Sequence, residues 1–263
     1  MEQLQYQEGR TEISQLGKVA LIDRLTDGLD CAGDDCAVLG EGDRLTLVNT
    51  QTLVEGVDFD MVYTPLKHLG YKAMAIAVSN IAAMNGTPRH ALVSIAVSNR
   101  YSVEALDELY AGLRLCCDRY RVRLVGGETA TSRAGMVLTV TAVGDVEACR
   151  IARRSGARHN ELICCSGDLG SAYAGLLVLE REKVTYQADP NFQPDLDGYD
   201  YVLERFLKPE PRMDVVKKLR EADVVPTSMT DVSRGLADAL LHLTRASKCG
   251  CEVYEERLPS TTR

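Results

Sequence analysis

The 263-residue sequence contains no tryptophan and only three phenylalanines, which excludes a site that stacks its ligand on an indole ring. No apolar run approaches the about 20 residues that a membrane-spanning helix needs. The N-terminus also lacks the basic and apolar regions of a signal peptide. We therefore expect a soluble, cytoplasmic protein that has no membrane partner.

Positive charge is scarce, because 30 lysines and arginines stand against 38 aspartates and glutamates and the net charge is −8. A protein that binds nucleic acid needs a basic surface to offset the phosphate backbone. We therefore expect no nucleic-acid partner. A small anionic ligand would need local cations or a metal ion.

The nine cysteines include no Cys-x-x-Cys pair, and the four histidines show no His-Glu-x-x-His spacing. An odd number of cysteines without an export signal indicates reduced thiols rather than a disulfide framework or a zinc site. The histidines are predicted to be surface or structural residues.

The most informative pattern is a pair of acidic residues, Asp34 and Asp35, directly after Gly33. Glycine lets the backbone turn tightly, and two carboxylates on such a turn suit a hard cation such as Mg²⁺, which is associated with phosphate chemistry. The apolar residues 37–39 that follow predict a strand. Taken alone, such a pair is more often an ordinary acidic surface turn than a metal site.

The first half of the chain alternates between strand and helix patterns. Alternating or apolar runs predict strands at 45–48, 91–97 and 137–143. A helix is predicted over 66–84, and another begins after Ser102, a favourable N-cap residue.

The second half begins near Cys149 and predicts a further α/β unit. A buried strand is expected at 162–165, followed by a turn and a helix over 171–183. Residues 187–200 predict a surface excursion, and a helix follows 208–212. A strand that ends at Asp231 and a helix that continues to about Ser247 complete the pattern.

Acidic or amide side chains lie at the ends of several predicted elements, where rigid strands could aim their oxygens at one cleft. They are Asp34, Asp35, Gln51, Glu55, Asp58, Asn80, Glu128 and Asp231.

Six short motifs occur in an order that resembles the thiamine-monophosphate kinase family, within the superfamily of aminoimidazole ribonucleotide synthetase. The motifs are Gly-Asp-Asp-Cys-Ala-Val at 33–38, Thr-Leu-Val-Glu-Gly-Val at 52–57, Tyr-Lys-Ala at 71–73 leading to Ile-Ala-Ala-Met at 81–84, Val-Gly-Gly at 125–127, Arg-Ser-Gly-Ala at 154–157 and Asp-Val-Ser at 231–233.

The resemblance implies an α/β (α+β) fold with two domains. Residues 1–148 would form an N-terminal sheet-and-helix domain that binds ATP and Mg²⁺ and dimerises into a shared β-barrel. Residues 149–263 would form a C-terminal α/β domain that is truncated relative to the family, whose Gly-Gly-Glu-Asp-Tyr-Glu segment is expected to be missing.

The resemblance also implies an activity, the ATP-dependent phosphorylation of thiamine monophosphate to thiamine diphosphate in a homodimer. By position, the residues at the Mg²⁺ site would be Asp35, Asn49, Thr50, Gln51, Asn80, Glu128 and Asp231. Those that contact ATP would be Gly127, Arg154, Ser233 and Arg234, and Asp58 would occupy a substrate-binding position.

The chain departs from the family pattern at the metal site, because Gln51 and Asn80 stand where the family has aspartates and Arg234 stands where it has a third. Asp58 replaces a substrate-binding histidine. We therefore expect weakened or lost activity. The alternatives are a non-catalytic dimeric homologue that binds a nucleotide or a partner, and another enzyme of the superfamily, such as a hydrogenase-maturation or selenophosphate-forming relative.

Overall fold

The computed structural model describes residues 11–29, 32–189, 191 and 193–259. The chain divides into two compact units, Met1–Ala32 and Gly33–Arg263. In the first unit, helix α1 (Ile13–Leu16) and helix α2 (Lys18–Leu25) are separated by Gly17. The domain boundary expected at residues 148/149 stays a prediction.

The second unit is built on a five-stranded sheet whose strands lie in the order β1-β2-β5-β3-β4. The strands are β1 (Ala37–Leu39), β2 (Arg44–Val54), β3 (Thr87–Val97), β4 (Arg123–Thr131) and β5 (Val137–Glu147). All neighbouring pairs are antiparallel except β3 and β4, which are parallel. The four predicted strands of the first half are thus confirmed, and β4 is an addition.

One face of the sheet is covered by helix α3 (Leu66–Ala82), which contacts β2, β3 and β5. Helix α4 (Val103–Tyr120) packs on α3. Ser102 caps α4 by accepting a hydrogen bond from the Ala105 amide at 3.2 Å, as its position predicts. The core between sheet and helices is apolar, with Leu47, Met74 and Leu138 fully buried.

The crossing of α3 and α4 is close because glycine occupies the contact on each helix. A Cβ atom added at Gly112 would lie 1.8 Å from the carbonyl oxygen of Lys67, and one added at Gly70 would lie 2.0 Å from that of Leu109. No side chain fits at such a separation. The two glycines therefore set the distance between these helices.

The second half of the chain is helical where the structure describes it. Its elements are a 3₁₀ turn (Ala148–Arg150), α5 (Ser171–Ala188), α6 (Asp200–Leu207), α7 (Met213–Glu221), α8 (Leu236–Ser247) and a second 3₁₀ turn (Glu255–Arg257). The helices predicted after Ser166 and toward Ser247 are confirmed. None of the described helices is long and apolar enough to cross a membrane.

The strands predicted at 162–165 and before Asp231 are wrong. Both segments lack regular structure, and Leu162 is 89% exposed. An apolar segment forms a strand only when a neighbouring strand pairs with its backbone N–H and C=O groups. No described strand pairs with either segment.

The close contact of α3 and α4 predicts that Gly112→Ala destabilises the protein strongly. We expect a loss of about 3 kcal/mol in the free energy of unfolding, measured by urea denaturation, because the added methyl group overpacks a backbone contact. Glu108→Ala, at an exposed position of α4, should change that free energy by less than about 0.5 kcal/mol. Equal stabilities of the two variants would contradict the packing described.

Candidate functional site

The acidic turn at residues 33–36 lies directly before β1 and is fastened to the end of α3. The Cys36 amide donates to the sulfur of Met84 at 3.1 Å, and the Cys36 thiol lies 3.3 Å from the Asn80 carbonyl oxygen. Burial raises the pKa of the Cys36 thiol to about 12, so this cysteine is a neutral packing residue. The anchoring buries the Asp35 side chain, which is 2% exposed.

Two consecutive arginines meet the two aspartates of this turn. Arg154 directs its guanidinium at Asp35, with Nη2 at 2.6 Å from Oδ1 and Nε at 3.3 Å from Oδ2. Arg153 Nη1 lies 2.9 Å from one oxygen of Asp34, whose other oxygen accepts the Arg154 amide at 2.8 Å. Every carboxylate oxygen of Asp34 and Asp35 therefore accepts a hydrogen bond. The arginines also neutralise these charges, which allows the Asp35 carboxylate to be buried.

Asp231 faces the acidic turn from the loop before α8. Burial and the nearby negative charge of Asp35 raise the pKa of Asp231 to about 6, although Arg154 acts in the opposite direction. Ser233 Oγ lies 3.5 Å from Oδ1 of Asp231, whereas the buried Oδ2 atom has no hydrogen-bond partner among the described residues. This oxygen is the clearest vacant ligand position of the site.

These groups line an open cleft with a volume of about 170 Å³. Four aspartates and two arginines contribute to its wall, so the cleft carries both signs of charge. The lining residues are Asp34, Asp35, Gln51, Asn80, Arg154, Asp231, Ser233, Arg234, Gly235, Asp238, Ala239 and His242.

The structure brings eight of the predicted site residues together in or beside this cleft. Seven of them line it: Asp35, Gln51, Asn80, Arg154, Asp231, Ser233 and Arg234. Asn49 lies behind the wall, where its Nδ2 donates to the Ala77 carbonyl at 3.0 Å and its buried Oδ1 has no partner among the described residues.

Four predicted site residues lie outside the cleft. Thr50 points to the opposite face of β2, as strand alternation requires, and its hydroxyl lies 3.1 Å from that of Thr141. Gly127 and Glu128 lie on β4, where Glu128 is exposed and accepts the Thr129 amide at 3.1 Å. Asp58 accepts the Val54 amide at 2.8 Å and so closes a turn.

Gly127 has a structural reason to be glycine. A Cβ atom at this position would lie 1.7 Å from the carbonyl oxygen of Val93 on the neighbouring strand. The residue therefore permits the close pairing of β3 and β4, and this packing accounts for its identity without a ligand.

Sequence reasoning missed Arg153 as the partner of Asp34, and it missed one wall of the cleft. Asp238 and His242 lie one turn apart on α8, with Nε2 of His242 at 3.4 Å from Oδ2 of Asp238. The signal was available, because residues 238, 239 and 242 share one face of α8, which begins at Leu236, shortly after Asp231.

The donor set fits a single Mg²⁺ ion that shares its coordination with ligand phosphates. Asp35 and Asp231 repel one another across the cleft, and Oδ2 of Asp231 is unpaired among the described residues, which is the arrangement that a cation relieves. The described side chains alone supply too few acidic ligands for an ion, so phosphate oxygens would have to complete its coordination. Within the described ranges, no group of three or more His, Cys, Asp or Glu side chains could hold a metal ion.

The raised pKa of Asp231 predicts a pH-dependent effect of Asp231→Asn on stability. A folded-state pKa near 6, above the ordinary 3.8, gives a stabilisation that is present below 3.8 and lost as the pH rises through 6. In buffer containing EDTA, the variant should match the parent near pH 4 and exceed its unfolding free energy by about 2 kcal/mol near pH 7.5. Urea denaturation at both pH values measures this difference.

Asp107→Asn is the control, because it removes the same charge from an exposed position of α4. It should change the unfolding free energy by less than about 0.5 kcal/mol at either pH. A pH-independent effect of Asp231→Asn would show that the carboxylate is not strained by burial and by Asp35.

Comparison with known proteins identifies the family of this fold and cleft. Residues 33–146 match the family described as AIR synthase related protein, N-terminal domain. The thiamine-monophosphate kinase of Bacillus subtilis is 33% identical over 228 residues, which cover 86% of this chain and 67% of that protein. That of Aquifex aeolicus is 32% identical over 249 residues, which cover 94% of this chain and 76% of that protein.

Solved structures with the same fold support this family assignment. The structure of AaThiL complexed with AMPPCP and TMP superposes with a TM-score of 0.81 and 29% identity, covering 92% of this chain and 74% of that chain. The hydrogenase maturation protein HypE in complex with ATP superposes with a TM-score of 0.67 over 93% of this chain and 70% of that chain, but its 19% identity establishes the shared fold alone. The chain belongs to the thiamine-monophosphate kinase family of phosphotransferases.

Proposed function

We propose that this chain binds ATP with Mg²⁺ in the cleft and transfers its terminal phosphate to thiamine monophosphate slowly, giving thiamine diphosphate. One observation carries the proposal: Asp35, Asp231 and Arg154, which lie far apart in the sequence, converge on one cleft. AaThiL, which has the same fold, was solved with AMPPCP and TMP. We infer ATP and thiamine monophosphate as the ligands of this chain from the AMPPCP and TMP in that structure.

The chemistry needs no nucleophile from the protein, because phosphoryl transfer depends mainly on positioning and on charge stabilisation. Asp35 and Asp231 would hold the metal ion. When bound, Mg²⁺ neutralises charge on the phosphate oxygens. Arg154, which donates to Asp35 through Nε and Nη2, would offer its remaining guanidinium N–H groups to the same phosphates. Ser233 and Arg234, in the loop just before α8, would complete the nucleotide contacts.

The proposed rate is low because the cleft has few charged metal ligands. Gln51 and Asn80 supply amide oxygens that carry no net charge, and Arg234 adds a positive charge to the wall. A unit charge pair about 4 Å apart contributes roughly 4 kcal/mol at an effective dielectric constant of 20. Two missing carboxylates and one added cation should therefore weaken Mg²⁺ binding by orders of magnitude.

The same substitutions favour a second candidate, a non-catalytic homologue that binds a nucleotide. Arg234 lies in the cleft wall and forms no ion pair among the described residues, so its guanidinium is available to an anion. Such a protein would bind AMPPCP but would form no thiamine diphosphate.

A homodimer that shares a β-barrel is part of the proposal, and the open face of the sheet supports it. The face opposite α3 carries cross-strand hydroxyl pairs between β2 and β5, Thr50 with Thr141 at 3.1 Å and Thr52 with Thr139 at 3.0 Å. On this face Thr50 and Thr52 are exposed to solvent in the single chain. A second sheet could therefore pack on it and bury these threonines.

Restoring the family's carboxylates tests the proposed function. The variant Gln51→Asp, Asn80→Asp, Arg234→Asp should bind Mg²⁺ about a hundredfold more tightly in calorimetry, since each change adds attraction for the cation. It should also form thiamine diphosphate faster than the parent chain, as measured by chromatography of the product.

The matched control makes the same three chemical changes at exposed positions that do not line the cleft, Gln187→Asp, Asn99→Asp and Arg133→Asp. This control should leave both Mg²⁺ binding and turnover unchanged. If the cleft variant gains neither property, the metal positions are misassigned. If the parent binds AMPPCP and the restored chain binds Mg²⁺ without turnover, the non-catalytic candidate is favoured.

The proposed dimer predicts that a charge on the open sheet face separates the subunits. Thr141→Arg would bury an unpaired cation in the interface, so light scattering after gel filtration should give the dimer mass for the parent and the monomer mass for the variant. Glu108→Arg, on the exposed side of α4, should leave the mass unchanged. A monomeric parent would refute the dimer.

A further inference from the structure

Arg154 is held at its backbone as well as at its guanidinium. Its carbonyl oxygen accepts two hydrogen bonds, from the hydroxyl of Ser228 at 2.6 Å and from that of Ser247 at 3.1 Å. A carbonyl oxygen has two lone pairs, so these hydroxyls satisfy it completely. The two serines come from different segments, the loop that precedes Asp231 and the last residue of α8.

Ser247 also organises the turn that follows Arg154. Its hydroxyl accepts the Ala157 amide at 3.1 Å while it donates to Arg154, so a single side chain bridges both ends of residues 154–157. On the other side, the Met229 amide donates to the Arg153 carbonyl at 2.9 Å. The segment that carries both arginines is therefore clamped between α8 and the loop at 227–230.

This clamp fixes where the guanidinium of Arg154 can reach. The amide of Arg154 donates to Asp34 at 2.8 Å and its guanidinium donates to Asp35 at 2.6 Å, so the residue is held at its amide, its carbonyl and its guanidinium. Long arginine side chains lose much rotamer freedom when they are fixed, and an anchored backbone limits that loss.

We propose that Ser228 and Ser247 are positioning residues that hold Arg154 against Asp35 and in register with the cleft. Neither serine lines the cleft, so each acts through Arg154 rather than by contact with a ligand. The role of Arg154 toward phosphate rests on the proposed function, whereas the positioning itself does not.

The primary test measures the position of Arg154 without any ligand. In protein with ¹⁵N-labelled arginine, the Nε–H signal of Arg154, assigned by its loss in Arg154→Gln, should be protected from exchange with water in the parent. Ser228→Ala with Ser247→Ala should accelerate this exchange about tenfold, because each lost hydrogen bond accounts for a factor of about threefold to tenfold. Unchanged exchange in the folded double variant would overturn the proposal.

Three comparisons separate positioning from general destabilisation. Ser228→Thr and Ser247→Thr keep the hydroxyl and should restore the protection. Ser132→Ala, which also loses a serine hydrogen bond but lies between β4 and β5, should not alter the Arg154 signal. If the double alanine variant does not fold, the two single variants give the same comparison. Acceleration by Ser132→Ala would also contradict a local clamp.

A second measurement connects the clamp to nucleotide binding. Each single alanine variant should weaken binding of AMPPCP with Mg²⁺ about fivefold in calorimetry. In the Arg154→Gln background the same changes should have no further effect, since their target is gone. Additive effects in that background would overturn the positioning role. If the parent does not bind AMPPCP, the proposed function fails, while the exchange measurement still decides the positioning.

Discussion

The ion pairs between the acidic turn and Arg153 and Arg154 are the contacts on which the cleft depends. They join segments about 120 residues apart in the chain, and the Asp35 side chain that they enclose is 2% exposed. A carboxylate buried without its partner costs about 3 to 5 kcal/mol, so the arginines are required for the turn to remain where it is. The same ion pairs therefore stabilise the fold and shape the cleft, so a change to one affects the other.

The parts of the fold that could be predicted are those in which one segment carries its own signal. Strands β2, β3 and β5 alternate in polarity, and α3 and α4 show a helical period, because each buries one face against a common core. Strand β4 was missed since Gly126 and Gly127 contribute no side chains to a pattern. The false strand at 162–165 shows the converse, because an apolar run cannot supply its own hydrogen-bonding partner.

The site could be predicted to a similar extent. The ordered motifs placed Asp35, Arg154 and Asp231 in one site, and the cleft contains all three. Thr50 could have been excluded from its position alone, since neighbours of Asn49 and Gln51 on a strand point the other way. The pairing of Arg153 with Asp34 could not be predicted, because nothing in either segment specifies a contact across the chain.

These constraints also decide which residues inform on activity. Asp35 and Arg154 are needed for packing whether or not the cleft binds a nucleotide, so their convergence with Asp231 supports a ligand site but does not inform on the rate of turnover. Gln51 and Arg234 carry no comparable structural task, since no described hydrogen bond or ion pair ties their side chains to the fold. Substitutions at positions without such contacts change the stability of the fold little. Charge at these two positions therefore bears most directly on the proposed metal site.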